Sequence, residues 1–436
     1  MATVRTDHSP RPRLPFALAA ALSGLALASA SAVAVAPPAY AGARHSGVVS
    51  ENPVNWTPHV LDGSVTTIAE AGGLIVAAGD FTEVSDPEGS TTLDRDRIFA
   101  FEPGTGEISS DFRPDVNGTI TSVVPGPGDT VFIGGRFDRV SGELHRGIAL
   151  VSTADGEPVD GFSAGIENGS VYRLAVNGGQ LYAGGSFTSV DGTERTGVAR
   201  FDADTGKLDK ALDITIAESR RGDLRVEELA VSPDGDRLVI AGNFTKVEGK
   251  RRYQIAMIDT GSNPARLSNW STEEYSKPCD FEHMHTYLRQ IDFAPDGSYF
   301  AVATAGGPDK KDGLCKTVAR WETSGPAGAR PTWVNHTGGD AVYSVAVTGA
   351  AVYVGGHQRW MDNPHGDHHP GPGSVAREGI GAIDPRTGKA LPWNPGRERG
   401  HGAEALLATA DGLYVGSDTT RLGGEYKGRI GMFPLE

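Results

Sequence analysis

Residues 170–206 read SVYRLAVNGGQLYAGGSFTSVDGTERTGVARFDADTG, and their plan decides the fold. An apolar-alternating run (Val171, Leu174, Val176) ends at Gly178-Gly179. A second run, Leu181 to Ala183, meets Gly184-Gly185 and then Phe187-Thr188-Ser189-Val190. Asp191-Gly192 turns the chain, and Arg195 leads into a third run, Val198 to Phe201, closed by Asp202 to Gly206. Short alternating runs between Gly-rich turns are strands, and three such strands cannot bury both faces alone. The unit therefore implies stacked copies.

Working outward, the copies can be counted on separate markers. The opening apolar-x-x-apolar strand recurs at Val65–Ile68, Ile120–Val123, Val171–Leu174, Val226–Leu229, Leu288–Ile291, Val342–Val345 and Ala403–Leu406. The Gly-x-Phe turn recurs at Gly79, Gly135, Gly185 and Gly242, with diverged copies at Ala305, Gly356 and Gly416. Both markers give seven units of about 56 residues, room for four short strands each. The expected fold is all-β, a seven-bladed β-propeller. An aromatic strand follows most units (Phe112, Phe162, Trp270, Trp333, Trp393), and one more stands ahead of the first, at Trp56-Thr57-Pro58. No outer strand follows Ile430–Phe433, so the N-terminal strand is expected to close the last blade and hide its open edge.

Composition bounds the rest. Residues 1–41 read as a removed signal peptide: a basic start (Arg5, Arg11, Arg13), an apolar stretch from Leu14 to Ala36, and Ala39-Tyr40-Ala41 as the cleavage site. The expected mature chain, 42–436, is one propeller domain with 37 Lys+Arg against 54 Asp+Glu, a net charge of −17. That acidity disfavours nucleic acid and anionic lipid. No later run has the ~18 apolar residues of a membrane span. The expected product is secreted, extracellular or cell-wall associated, and monomeric. The two cysteines, Cys279 and Cys315, are expected to pair, as cysteines of an exported chain do.

The unit Gly184 to Asp202, with copies at Gly134 and Gly242, resembles the repeat of the delta-60 repeat family: Gly-Gly-x-Phe-Thr-x-Val-x-Gly-x-x-Arg, then Ala-Arg-Phe-Asp. The stretch from Trp333 through His357-Gln358-Arg359-Trp360 to Trp393–Gly400 is similar to the propeller part of many secreted bacterial proteins. The resemblance implies the fold. It brings no agreed activity and no catalytic residues.

Candidate chemistry lies at the two variable positions of each opening strand, which a propeller sets around its axis. They are Thr66/Thr67, Thr121/Ser122, Tyr172/Arg173, Glu227/Glu228, Arg289/Gln290, Tyr343/Ser344 and Glu404/Ala405. Strand side chains alternate, so one of each pair is expected to face the channel. Tyr172, Arg173, Glu227, Glu228, Arg289, Tyr343 and Glu404 could bind a glycan or protein ligand by stacking and hydrogen bonding. They could equally pair among themselves. Arg359 and Trp360, and Arg397 and Arg399 near the last blade, are further ligand-binding candidates. His357, His365, His368 and His369 lie together with Asp362 and Asp367, but their spacing matches no familiar metal motif, and neither metal nor cofactor is expected.

No Gly-x-Ser-x-Gly elbow, phosphate loop or zincin helix is present. The leading expectation is a non-catalytic binding or scaffold module. The alternative is a polysaccharide lyase or hydrolase using the channel-mouth Tyr, Arg and Glu residues as acid and base.

Overall fold

A computed structural model describes residues 43–279, 284–306 and 313–436. The expected signal peptide and most of the loop Pro308–Gly313 lie outside the described residues. Among the described residues the chain is all-β, with one short 3-10 turn at Glu274–Ser276. No helix there is long and apolar enough to cross a membrane.

Seven of the thirteen antiparallel sheets among the described residues follow one another along the chain as its main sheets, 1 to 7. Each is opened by a lead strand: Val65–Ala71, Thr119–Pro125, Val171–Asn177, Val226–Val231, Leu288–Phe293, Val342–Val347 and Ala403–Thr409. In sheet 3 the lead strand pairs with Gln180–Gly185, which pairs with Val198–Asp202. The hairpin inserted between those last two turns on Asp191 (φ 46°) and Gly192 (φ 71°). Two successive positive φ values match the right-handed twist of the flanking strands, which is why Asp-Gly stands there.

Each lead strand lies beside the next, and the seventh lies beside the first. Close approach between sheets demands small residues. A Cβ on Gly134 would sit 2.8 Å from Leu174 of sheet 3, and one on Gly184 3.0 Å from Val226 of sheet 4. The core is correspondingly divided into clusters between sheets. The cluster between sheets 2 and 3 holds Phe132, Phe162, Leu174, Phe187 and Phe201. The cluster around sheet 5 holds Trp270, Tyr275, Tyr287, Phe300 and Trp321, beside the Cys279–Cys315 disulfide.

The fourth strand is shorter than expected. It is regular in sheets 4 and 5, at Arg266–Leu267 and Trp333–His336. In sheets 1, 2, 3 and 6 it shrinks to a single bridge, as at Phe101 with Ile108. The aromatic residues after it are buried instead of running on along the edge. Pro114 and Pro395, just beyond, also lack the N–H that a ladder needs.

A repeated clasp holds this edge. Arg95, Arg252 and Arg377 each donate from Nη1 to the preceding carbonyl and from Nη2 to the fourth segment, at Ser109 O (2.9 Å), Ser268 O (3.0 Å) and Leu391 O (2.6 Å). Arg195 is buried likewise and pairs with Asp213 at 3.1 Å. The arginine of the repeat is thus structural.

In sheet 7 the fourth position is filled from far upstream. The Val54 amide donates to Met432 O at 2.9 Å and the Ser50 amide to Pro434 O at 2.8 Å. The equivalent bond in sheet 1 runs from Ser109 to Ala100, also at 2.9 Å. Trp56 itself packs edge-on against Tyr414 of sheet 7, with ring centroids 6.2 Å apart.

Candidate functional site

The seven lead strands line one cavity of about 220 Å³. Every lead strand carries a register shift at the same place. Val65 opposes Gly79 and Thr67 opposes Ala78, leaving Thr66 as the extra residue. The same irregularity leaves Thr121, Tyr172, Glu227, Arg289, Tyr343 and Glu404 as extra residues in the other six. A bulge breaks the two-residue alternation. The expectation that one of each variable pair faces the channel therefore fails only where both residues line the cavity. Thr66 and Thr67 both line the cavity, as do Glu404 and Ala405. Tyr172, Glu227 and Arg289 line a second pocket, termed the mouth pocket, which shares Glu228 with the cavity, while their neighbours Arg173, Glu228 and Gln290 line the cavity.

The second residue of every pair but the last, where Ala405 stands, has a structural task. A lead strand has an outer edge whose N–H and C=O groups need partners. Thr67 Oγ1 accepts the Val123 amide at 3.1 Å, Ser122 Oγ the Leu174 amide at 3.1 Å, and Gln290 Oε1 the Val345 amide at 2.7 Å. Ser344 Oγ donates to Ala403 O at 2.8 Å. Between sheets 3 and 4 the same join is ionic: Arg173 Nε donates to Glu228 Oε2 at 2.9 Å, and Nη2 also reaches the carboxylate. Desolvation works against the Arg173 charge, but Glu228 more than offsets it and keeps the guanidinium protonated. Asp292, one turn of the pleat deeper, accepts the Val347 amide at 2.6 Å in a wall otherwise made by Val124, Ala175, Ala230, Ala346 and Leu407. Burial pushes its carboxyl up to about 7.

The first residues of the pairs are less committed. Tyr172, Glu227 and Arg289 share a mouth pocket of about 320 Å³ with Thr121, Arg136 and Arg225. The Tyr172 hydroxyl donates to Ser186 Oγ at 3.1 Å, and the Arg225 guanidinium stands 5.8 Å from the Tyr172 ring centre. Burial pushes the Glu227 carboxyl up, against the opposing pull of Arg289 and Arg225. Arg136 and Arg225 follow from their places in the repeat, though the sequence reading missed them. Arg136 is the middle residue of a Gly-x-Phe turn, which pairs with the start of a lead strand, and Arg225 directly precedes one.

Tyr343 and Glu404 meet through a third residue. His401 Nδ1 is 2.9 Å from Glu404 Oε1, and the His401 ring stacks on Tyr343 with centroids 5.1 Å apart.

The remaining candidates are placed elsewhere. Arg397 is buried, donating to Gly356 O at 3.0 Å, to Arg399 O at 2.5 Å and to Thr419 Oγ1 at 2.6 Å. Its charge faces Asp418, so its guanidinium is engaged within the protein. Arg359 and Arg399 both bind Asp340, a buried carboxylate that the sequence reading did not single out. Arg359 also lies over the Trp360 ring at 4.4 Å. The histidines do not converge. His357 Nδ1 is 2.7 Å from Gly400 O, His369 Nδ1 is 2.5 Å from Asp367 O, and His368 is 3.8 Å from Asp340. His365 lies near His336. Among the described residues no group of three metal-donor side chains comes together.

An all-β chain of repeated antiparallel sheets, with polar groups gathered where the lead strands meet, has the character of a β-propeller repeat protein. A family model described as a domain of unknown function (DUF5122) beta-propeller matches residues 179–210, within the stretch that organises the sequence. No curated protein matches the chain.

Proposed function

We propose that residues 42–436 form a single seven-bladed β-propeller of the delta-60 repeat type, closed by the N-terminal segment in sheet 7, and that it works as a non-catalytic binding module. Residues 1–41 act as its leader, and the mature chain works outside the cell as a monomer at the envelope. Its ligand is a glycan held at the cavity mouth. The observation carrying this reading is the mouth pocket itself. Tyr172, Glu227 and Arg289 on lead strands and Arg225 just ahead of one are presented together, and none of them takes part in an ion pair among the described residues. Rigid strands that present uncommitted polar and aromatic side chains are the usual makings of a small-ligand site.

A second reading is favoured by one contact. His401 and Glu404 form a hydrogen-bonded pair beside Tyr343, and such a pair could move a proton on a polysaccharide. Incubating the protein with cell-wall glycans, recovering it, and analysing the sugars separates the two. Retention with unchanged chain length supports the binding module. Shortened or unsaturated products that vanish with His401→Ala or Tyr343→Phe establish the enzyme. Neither retention nor turnover turns the search to a protein ligand.

A further inference from the structure

The mouth pocket has an unusual charge balance for so acidic a chain. Once the Arg173–Glu228 pair is set aside, its walls carry three guanidiniums, Arg136, Arg225 and Arg289, against one carboxylate, Glu227. Among the described residues none of the three guanidiniums lies within ion-pair distance of an acid. Arg136 Nε reaches only Ser170 Oγ at 3.3 Å, and Arg225 Nε only Asp223 O at 3.2 Å. Arg289 Nη2 points at the Met284 sulfur, 3.2 Å away, and its buried Nε has no partner. A thioether is a weak acceptor, so this guanidinium keeps most of its hydrogen-bonding capacity. The chain as a whole carries the opposite balance, a formal charge of −15.

Resting on the reading of the mouth as a glycan site, we infer that this pocket is a subsite for an acidic sugar, a ring bearing a carboxylate or sulfate oxyanion. Arginine forks match such oxyanions bidentately. Tyr172 supplies an aromatic wall, and Thr121 and Glu227 supply hydrogen-bonding groups for ring hydroxyls. The volume of about 320 Å³ lies at the small end of the range for compact ligands. A stable protein partner would instead need a broad face of roughly 800 Å² on each side.

The test is titration calorimetry of the full protein with three probes: oligogalacturonate for the carboxylate, dextran sulfate for the sulfate, and cellohexaose as the neutral control. The expected result is binding of one or both charged probes, weakened about tenfold between roughly 50 mM and roughly 500 mM NaCl, and no binding of cellohexaose. Whichever charged probe binds identifies the oxyanion. Arg289→Gln should weaken that binding at least about tenfold. Should that variant unfold, the surface residue Arg136 provides a second variant, Arg136→Gln, with a smaller loss expected. Equal, salt-insensitive binding of cellohexaose overturns the acidic-sugar subsite and leaves the glycan reading standing. Charged-probe binding that both variants leave untouched also overturns the subsite. No binding of any probe overturns the subsite, and if cell-wall glycans are also not retained, the glycan reading falls with it.

Discussion

Arg173 and Glu228 meet across the join between sheets 3 and 4, with Nε 2.9 Å from one carboxylate oxygen and 3.1 Å from the other. They occupy the positions at which Thr67, Ser122 and Gln290 make neutral joins elsewhere. The ionic version carries a larger penalty when half of it is lost, because Glu228 is only 6% exposed. Arg173→Met is expected to cost about 3 kcal/mol, since it strands a buried charge. Adding Glu228→Leu should restore most of that loss. Urea unfolding of the two single variants and the double variant measures it.

Asp292 makes stability depend on pH. Its carboxyl is lifted by burial to about 7, while in the unfolded chain it has the ordinary aspartate value. The folded state therefore holds this proton more tightly, and stability falls as pH rises from about 4 to about 7. Asp292→Asn keeps an acceptor for the Val347 amide and removes the titration. Thermal melts should show the variant near wild type at pH 4 and more stable at pH 8, by up to about 4 kcal/mol. A variant no more stable at pH 8 than wild type would refute this account.

The arginine clasp is a claim about geometry as much as charge. Arg252 spans two carbonyls with two nitrogens of one plane, which lysine cannot do. Arg252→Lys is expected to lower stability by about 1–2 kcal/mol. Amide exchange should quicken around Ser268 and stay unchanged at the cavity mouth.

The N-terminal segment can be tested by removal. Residues 49–54 donate to Tyr353, Met432 and Pro434, and the Ser50 carbonyl accepts from Trp393 Nε1 at 3.0 Å. Deleting residues 43–55 bares the edge of Ile430–Pro434. The expected outcome is a lower melting midpoint together with concentration-dependent aggregation in light scattering, as an open strand edge invites pairing.

The sheets were legible because their signals are local. Val171 and Leu174, or Asp191 and Gly192, speak for their own strand and turn. The ring of variable positions was legible as well, since it follows from where each lead strand begins. The bulge was not, because the extra residue shows only against its partner strand. Nor was the fate of Arg359 and Arg399. Asp340 reaches them from 19 and 59 residues away, and spacing of that kind leaves no periodic mark. Arg397 looked available for the same reason: Gly356 and Thr419, which absorb it, are distant in sequence.

Ser50 and Val54 find their acceptors on Pro434 and Met432, nearly the whole described chain away. During synthesis Ser50 and Val54 have no strand to join until Ile430–Pro434 has been made. Neighbouring sheets can assemble as they emerge, through contacts a few tens of residues apart, but this last pairing must close a loop of nearly the full length. The pairing of Ser50 and Val54 is thereby expected to form after the sheets that lie between them and Ile430–Pro434 in sequence.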